Sequence, residues 1–198
     1  MRSLYIVLIV ALCVLVLLVG VRQLHSSLLS NDKYRLATQL HARLEDRLGA
    51  IDEPSPSLIV PGLWLGAMAD AFNNEKLTAC KITHILDMTG GSTNSCPYNN
   101  RDVIVVYKKL PAIDHPFFDI SQYFDEACEF IESALEQGGS VLVHCQAGVS
   151  RSAIIVAMYL ARRNKWTAER SLLFVKARRK KIQPNIGFIQ QLLVDVGK

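Results

Sequence analysis

A cysteine and an arginine six positions apart are the residues in this chain best suited to chemistry. In the segment VLVHCQAGVSRSA, from Val141 to Ala153, Cys145 follows strand-forming residues and Arg151 begins an apolar, helix-like run. A thiolate is a strong nucleophile, and its pKa falls at a helix N-terminus or beside a cation. An arginine offers a planar fork that binds two phosphate oxygens. The pattern therefore predicts nucleophilic attack on a bound phosphoryl group.

The loop between these two residues has the features of an anion site. Backbone N–H groups in a loop that leads into a helix converge on one point, where the helix dipole also favours negative charge. Gly148 allows the sharp turn that this convergence needs. A bare Cys-x5-Arg pattern is weak evidence, but here it lies between a strand and a helix. None of the other cysteines has an arginine six residues later.

The elements that must position this loop alternate along the chain after Leu58. Continuous apolar strands interleaved with helical patterns predict an α/β domain, with a central, mostly parallel sheet flanked by helices. The run from Ala153 to Ala161 is apolar all round and is interpreted as a central buried helix. The predicted strands are 58–60, 63–65, 82–86, 103–107 and 141–144, and the predicted helices are 70–80, 120–137, 151–163, 167–179 and 186–196.

The chain begins with an apolar segment, Leu4 to Val21, that carries no charge. As a helix it would be about 27 Å long, close to the hydrocarbon thickness of a bilayer. Residues 1–21 are therefore predicted to be a transmembrane anchor, with a cleaved signal peptide or a buried core helix as alternatives. Basic residues are more frequent after the segment than before it, which weakly favours a cytoplasmic location for the part of the chain that follows; the membrane itself is not identified.

Residues 22–57 are predicted to form a juxtamembrane helix and linker. Leu36, Leu40, Leu44 and Leu48 recur every fourth position, and the segment DEPSPS (52–57) marks the boundary to a domain at 58–198. The leucine row is expected to pack on that domain. Contact with a membrane surface and self-association are the alternatives, and the oligomeric state stays open.

Composition and cysteine usage limit the remaining possibilities. The 198 residues carry a net charge of +4 and 5 cysteines, an odd number without regular spacing. Neither a disulfide framework nor a metal site is expected. Cys80, Cys96 and Cys128 are interpreted as core or surface thiols, although one of them could protect oxidised Cys145 by a disulfide. No dinucleotide-binding glycine pattern is present, so no cofactor is expected.

Basic residues cluster between Arg162 and Lys181. The cluster is interpreted as a solvated helical face, and the alternatives are steering of an acidic phosphoprotein or contact with anionic lipid. No recognition motif accompanies the charge, so nucleic acid is not an expected partner.

The segment HCQAGVSRS (144–152) closely resembles H-C-x-A-G-x-S-R-S, the signature of cysteine-dependent dual-specificity protein phosphatases. The resemblance continues in the opening segment from Leu58, in LPAIDHPFFDI (110–120) and in IQPNIGFIQQL (182–192), in family order. It covers the chain from Leu58 onward and implies the protein tyrosine phosphatase-like fold. The anchor and the juxtamembrane helix lie outside it.

The resemblance also implies the catalytic roles. Cys145 would attack phosphorus and become phosphocysteine, and Asp114 would protonate the leaving group and then activate water, with Asp119 as the alternative acid. Arg151 would stabilise the equatorial oxygens. Ser152 would hydrogen-bond the departing sulfur. The substrate-binding residues would be Gln146, Ala147, Gly148, Val149, Ser150 and Arg151.

Supporting roles follow from the same resemblance. Ser150 would hold the loop, His144 would orient it, and Asn185 would be a structural asparagine. Each has a simpler interpretation: helix capping for the two serines, a core histidine for His144, and a turn residue for Asn185 and also for Asp114.

The variable positions of the loop, Gln146 and Val149, are uncharged, whereas relatives that act on inositol lipids tend to carry cations there. A phosphoprotein substrate, phosphorylated on tyrosine or on serine and threonine, is therefore favoured. A phosphoinositide phosphatase and a phosphoprotein-binding pseudophosphatase are the alternatives. Because Cys145, Asp114 and Arg151 are all present, a pure binding role is less favoured.

Overall fold

A computed structural model of the chain describes residues 30–45, 54–91 and 105–197. The chain forms two compact units, Met1–Leu36 and Ala37–Lys198, and the larger unit contains the sheet. In the part of the chain that is described, no helix is both long and apolar enough to cross a bilayer. The predicted anchor, Leu4 to Val21, and residues 22–29 and 46–53 of the predicted juxtamembrane helix and linker lie outside the described residues.

The described residues form one sheet of 5 strands. The strands are β1 Ser57–Val60, β2 Leu63–Ala67, β3 His84–Asp87, β4 Val106–Lys109 and β5 Val141–Cys145. Their order in the sheet is β1-β2-β5-β3-β4, with β5 at the centre and buried along its whole length. Strand β1 pairs with β2 antiparallel, and the other neighbours are parallel, so the predicted mostly parallel sheet is confirmed.

Helices follow the predicted order with one difference. A single helix was expected over residues 70–80, but the chain breaks there because Asn73 is extended and caps a second short helix, accepting from the Lys76 N–H at 3.0 Å. That prediction is wrong. The helices are α1 at residues 30–45, α2 Met68–Ala71, α3 Asn74–Ala79, α4 Phe124–Glu136, α5 Arg151–Asn164, α6 Ala168–Arg178 and α7 Ile186–Val196, with a 3-10 turn at Ser121–Tyr123 before α4.

Apolar side chains cover both faces of the sheet. Successive residues of a strand point to opposite faces, so Val141 and Val143 pack into the larger core cluster and Leu142 packs into the smaller one. The larger cluster includes α5, which is buried from Ser152 to Ala161 as its apolar sequence predicts. Helices therefore cover β5 on both faces, and the reactive loop follows directly from that strand.

Within the larger unit, the end of α1 is part of the same core. Ala37, Leu40 and Leu44 are almost fully buried and belong to the larger cluster. The Gln183 amide donates to Glu45 Oε1 at 2.7 Å, and Arg43 pairs with Glu169 of α6. Packing of the leucine row on the domain, the expected arrangement, is confirmed for Leu40 and Leu44.

The basic cluster between Arg162 and Lys181 does not form one solvated face, so that interpretation is wrong for several members. Lys176 and Arg179 are buried, at 2% and 0% exposure. Arg162 forms ion pairs with Asp125 and Asp195, both at 2.6 Å. Acidic neighbours and burial therefore remove much of the charge that the sequence pattern would place on the surface.

Candidate active site

The reactive loop connects the last residue of β5, Cys145, to the first residue of α5, Arg151. Gly148 has φ of +67°, in the left-handed region that favours glycine. A side chain there would also place its Cβ 2.5 Å from the Gly66 carbonyl oxygen of the neighbouring strand. Gly148 is therefore required both by the turn and by the close approach of β2.

Cys145 lies in a buried, polar environment at the base of this loop. The Ser152 hydroxyl donates to its Sγ at 3.2 Å. Burial alone raises the pKa of the thiol, but hydrogen bonds from Ser152 and from the Val149 N–H, together with the Arg151 charge, outweigh burial and lower the pKa below its ordinary value. The thiolate that a nucleophile requires is thus stabilised by the loop and the start of α5.

Asp114 lies against the loop, although it is far from it in sequence. Its Oδ1 accepts from the Ser150 hydroxyl at 2.7 Å and from the Asn185 side-chain amide at 2.9 Å, and its Oδ2 lies 3.6 Å from Arg151 Nε. The alternative acid, Asp119, instead accepts from the hydroxyl of Ser121 at 2.6 Å. The structure therefore brings Asp114 to the nucleophile's loop and places Asp119 at the 3-10 turn.

Arg151 joins the loop to the segment that carries Asp114. Its Nη1 donates to the Ala112 carbonyl at 3.0 Å, and its side chain is largely buried, at 13% exposure. The same segment packs closely on α7, because a Cβ at Gly187 would overlap the Pro116 carbonyl. Asp114 is thus placed by two contacts of its backbone segment as well as by its own hydrogen bonds.

Asn185 has two roles in the structure. Its Oδ1 caps α7 by accepting from the Phe188 N–H at 3.0 Å, while its Nδ2 donates to Asp114. The simpler interpretation as a turn residue is therefore incomplete. Ser150 stands at the N-cap of α5, but its side chain accepts no capping hydrogen bond from the helix, and its hydroxyl donates to the Asp114 carboxylate instead. The interpretation of Ser150 as a capping side chain is therefore wrong.

His144 is fully buried behind the nucleophile. Its Nδ1 lies 3.3 Å from the Cys145 carbonyl oxygen, and its Nε2 lies 3.7 Å from Oδ1 of Asp87 at the end of β3. Burial lowers the pKa of His144, which favours the neutral ring at physiological pH. Asp87 is itself held by the Tyr107 hydroxyl at 2.7 Å. Asp87 is not identifiable from the sequence, because only the parallel pairing of β3 with β5 brings it to His144.

Groups outside the loop bind its carbonyl oxygens. Met68 N–H donates to the Gln146 carbonyl at 3.2 Å, and Gln183 N–H donates to the Val149 carbonyl at 2.9 Å. Arg179, a member of the basic cluster between Arg162 and Lys181, donates through Nε to the Gly148 carbonyl at 2.8 Å. With the carbonyls held outward, the loop can present N–H groups to an anion, as the pattern predicts.

Comparison with known proteins identifies the family. Residues 63–195 match the catalytic domain of dual specificity phosphatases. Dual specificity protein phosphatase 1 of Arabidopsis thaliana is 41% identical over 141 residues, which covers 71% of this chain and 69% of the plant protein. This chain spans less than half the length of human dual specificity protein phosphatases 1 and 2, to which it is also similar.

Solved structures have the same fold. The crystal structure of DUSP15 superposes with a TM-score of 0.64 at 33% identity, covering 70% of this chain and 85% of that one. The human tyrosine phosphatase-like serine/threonine/tyrosine-interacting protein superposes equally well, with a TM-score of 0.64 at 34% identity, covering 70% and 93%. The resemblance inferred from HCQAGVSRS and the enzyme class that it implies are confirmed, and the chain belongs to the dual specificity protein phosphatase family of hydrolases.

Proposed function

We propose that the protein hydrolyses phosphotyrosine and phosphoserine or phosphothreonine in proteins through a phosphocysteine intermediate. The observation that carries the proposal is the convergence of three groups. Cys145 receives a hydrogen bond from Ser152, Asp114 is held by Ser150, and Arg151 lies beside that carboxylate. A nucleophile, an acid and a cation beside a loop of N–H groups are the parts that phosphomonoester hydrolysis needs.

In the first step, the Cys145 thiolate forms a bond to phosphorus while the bond from phosphorus to the ester oxygen breaks. Arg151 and the loop N–H groups stabilise the charge on the equatorial oxygens. Asp114 donates its proton to the departing alkoxide or phenoxide, which leaves as an alcohol or phenol. The products of this step are the dephosphorylated side chain, phosphocysteine and the Asp114 carboxylate.

In the second step, the Asp114 carboxylate accepts a proton from water as the water oxygen attacks phosphorus. The bond between phosphorus and Sγ breaks, the thiolate returns, and inorganic phosphate is released. The Ser152 hydroxyl, 3.2 Å from Sγ, stabilises the negative charge that returns to the sulfur. His144, buried and hydrogen-bonded to the Cys145 carbonyl, orients the strand end and takes no proton.

Two features support a protein substrate. The loop positions Gln146 and Val149 carry no charge, so the loop offers no extra cations for a multiply phosphorylated inositol ring. The segment around Asp114 presents Ile113 and Phe117 to solvent, at 63% and 92% exposure. Apolar side chains beside the acid suit the residues that flank a phosphorylated position in a polypeptide.

The proposal includes the predicted anchor. Leu4 to Val21 would hold the protein in a membrane, and the excess of basic residues after that segment favours a cytoplasmic catalytic domain. A reducing compartment also suits a chain whose nucleophile is a thiol. Fractionation of the full chain with an epitope tag at Lys198, followed by protease protection of intact vesicles, tests both points. A tag that is accessible only from the lumen would contradict the cytoplasmic orientation.

The catalytic proposal is tested by kcat/KM for the full chain in mild detergent, on doubly phosphorylated Thr/Tyr peptides and on short-chain phosphoinositides. Cys145→Ser removes the nucleophile, and Cys128→Ser is the matched control, since that thiol lies against Met158 away from the loop. Peptide turnover that exceeds lipid turnover, and that only Cys145→Ser abolishes, is the expected result. Preference for lipid would contradict the protein substrate, and phosphopeptide binding without turnover would indicate a binding module.

A further inference from the structure

Arg179 is a fully buried guanidinium beneath the phosphate-binding loop. It lies just after α6, at 0% exposure, and its Nε donates to the Gly148 carbonyl at 2.8 Å. A buried arginine is rare unless its donors have partners, because desolvating the charge is costly. The loop carbonyl is therefore one of the groups that hold this cation in the interior.

The peptide unit that Arg179 holds is also the one that faces the nucleophile. The Gly148 carbonyl and the Val149 N–H belong to the same planar unit and point in opposite directions. A backbone hydrogen bond from Val149 is among the causes that lower the pKa of the Cys145 thiol. A guanidinium that fixes the carbonyl on one side thus determines the direction of the N–H on the other side.

We propose that Arg179 is a positioning residue of the active site, which clamps the Gly148 carbonyl and so directs the Val149 N–H at the sulfur of Cys145. Arg151 contributes its charge inside the loop, whereas Arg179 acts from behind it. The effect of Arg179 on turnover rests on the proposed phosphatase reaction, but its effect on the reactivity of the thiol does not.

The guanidinium is itself fixed by the segment before β1. Its Nη1 donates to the hydroxyls of Ser57 at 3.0 Å and Ser55 at 3.3 Å. The Ser55 hydroxyl in turn donates to the buried carboxylate of Asp70. A chain of hydrogen bonds therefore runs from Asp70 through Ser55 and Arg179 to the loop, and it leaves the guanidinium little freedom to turn away from Gly148.

Steric fit supports the same pairing. A Cβ at Gly148 would lie 2.5 Å from Arg179 Nη2. The absence of a side chain at Gly148 is therefore what allows the guanidinium to reach the carbonyl. The glycine serves the loop in a second way, beyond its positive φ, because it makes room for the arginine.

The pH dependence of Cys145 alkylation by iodoacetamide tests the proposal without requiring turnover. Peptide mass spectrometry follows Cys145 separately from Cys80 and Cys128, whose pKa values are raised by burial, in the case of Cys128 to about 11. The full chain is compared with Arg179→Gln, Arg179→Lys and Ser57→Ala. Arg178→Gln is the control for loss of one cation, because Arg178 is exposed and stacks on Phe174.

In Arg179→Gln we expect the alkylation midpoint to move upward by about one pH unit, so that alkylation below the midpoint is about 10-fold slower. The same variant should lose about 10- to 100-fold in kcat/KM. Arg179→Lys should recover part of both losses, since it keeps the charge and one donor. Ser57→Ala removes one of the groups that fix the guanidinium, so it should shift the midpoint by less than Arg179→Gln does. Arg178→Gln should keep the wild-type midpoint.

Two results would overturn the proposal. One is an unchanged midpoint in folded Arg179→Gln. If that variant does not fold, an unchanged midpoint in Arg179→Lys together with wild-type kcat/KM has the same meaning. The other is an equal shift in Arg178→Gln, since the loss of one cation from the end of α6 would then explain the whole effect. A shifted midpoint in a chain without any turnover would support the role of Arg179 and contradict the phosphatase function instead.

Discussion

The Ser150 hydroxyl donates a hydrogen bond to Oδ1 of Asp114 at 2.7 Å, across 36 positions of sequence. This bond links the loop after Cys145 to the segment that carries Asp114. Asn185 donates to the same oxygen at 2.9 Å from the start of α7. These two neutral donors to one oxygen hold the carboxyl group against the loop. The other oxygen, Oδ2, faces Arg151.

Ser150→Ala should therefore weaken acid catalysis more than binding. Loss of one hydrogen bond to Asp114 lowers kcat by about 3- to 10-fold on phosphoserine peptides, whose alkoxide needs the proton. An aryl phosphate with a good leaving group should be less affected. Steady-state kinetics on both substrates measure the difference, and an equal loss on both would indicate that Ser150 acts on the loop and not on the acid.

Asp114→Asn should show the same dependence on the leaving group in a stronger form. Removal of a general acid costs about 10²- to 10⁴-fold on a substrate that needs protonation. Asp119→Asn is the matched control, because that carboxylate bonds to Ser121 at the 3-10 turn. The comparison of kcat on phosphoserine and aryl phosphate substrates decides between them. A larger loss in Asp119→Asn would assign the acid to the other aspartate.

The lowered pKa of Cys145 predicts how activity depends on pH on the acidic side of the pH profile. Only the thiolate attacks, so kcat/KM rises with pH as Cys145 loses its proton. Because the pKa is lowered by Ser152, Val149 and Arg151 against the effect of burial, this rise lies below pH 9.0, the ordinary thiol value. Ser152→Ala removes one donor and should move the rise upward by about one unit. A pH profile of kcat/KM on an aryl phosphate measures it, and an unchanged profile would show that Ser152 does not stabilise the thiolate.

Local patterns predicted the elements that carry the nucleophile, because the strand, loop and helix from Val141 to Arg163 are contiguous in sequence. The roles of Asp114 and Asn185 came from the family resemblance and not from spacing. The contacts of Asp87 and Arg179 are not predictable from the sequence, since they depend on strand order and on the path of the chain after α6. Because arginine usually lies on the surface, the charge of Arg179 favoured an exposed position in the sequence-based prediction.

The division of the predicted helix over residues 70–80 has a related cause. Its apolar spacing is compatible with one helix, but Asn73 competes by capping the backbone locally. The break leaves Asp70 free to turn inward, where its Oδ2 accepts from the Ala67 N–H at 2.9 Å. The burial of Asp70 depends on tertiary contacts, which the helical spacing of apolar residues does not predict.

Asp70 should stabilise the fold in a pH-dependent way. Burial raises its pKa, but hydrogen bonds from Lys76, Ser55 and the Ala67 N–H outweigh burial and hold the pKa below its ordinary 3.8. Its contribution is therefore fully present above pH 3.8 and is lost as pH falls through the lower folded value. Asp70→Asn should cost about 1–3 kcal/mol near pH 6. Urea unfolding of the compact unit Ala37–Lys198 at several pH values measures the difference, and a difference that does not shrink in acid would contradict the assignment.

Gly187, in the first turn of α7, should determine the position of Asp114. Its missing side chain allows the Pro116 carbonyl to approach the helix, and Pro116 lies two residues after Asp114. A methyl group in Gly187→Ala overlaps that carbonyl, so the segment must move outward and take Asp114 away from Ser150. We expect a loss of about 10- to 100-fold in kcat on phosphoserine peptides and a smaller loss on an aryl phosphate.

The nucleophile provides the internal control for Gly187→Ala. Cys145 and its donors lie on β5, the loop and α5, which the added methyl does not touch, so the pH midpoint of Cys145 alkylation should equal that of the wild type. The opposite pattern, with a shifted midpoint and no dependence on the leaving group, would mean that α7 supports the loop. Asn185 stands two residues before Gly187 and donates to Asp114. The expected result would therefore show that the start of α7 positions Asp114 in two ways, by this hydrogen bond and by the close packing of Gly187 on Pro116.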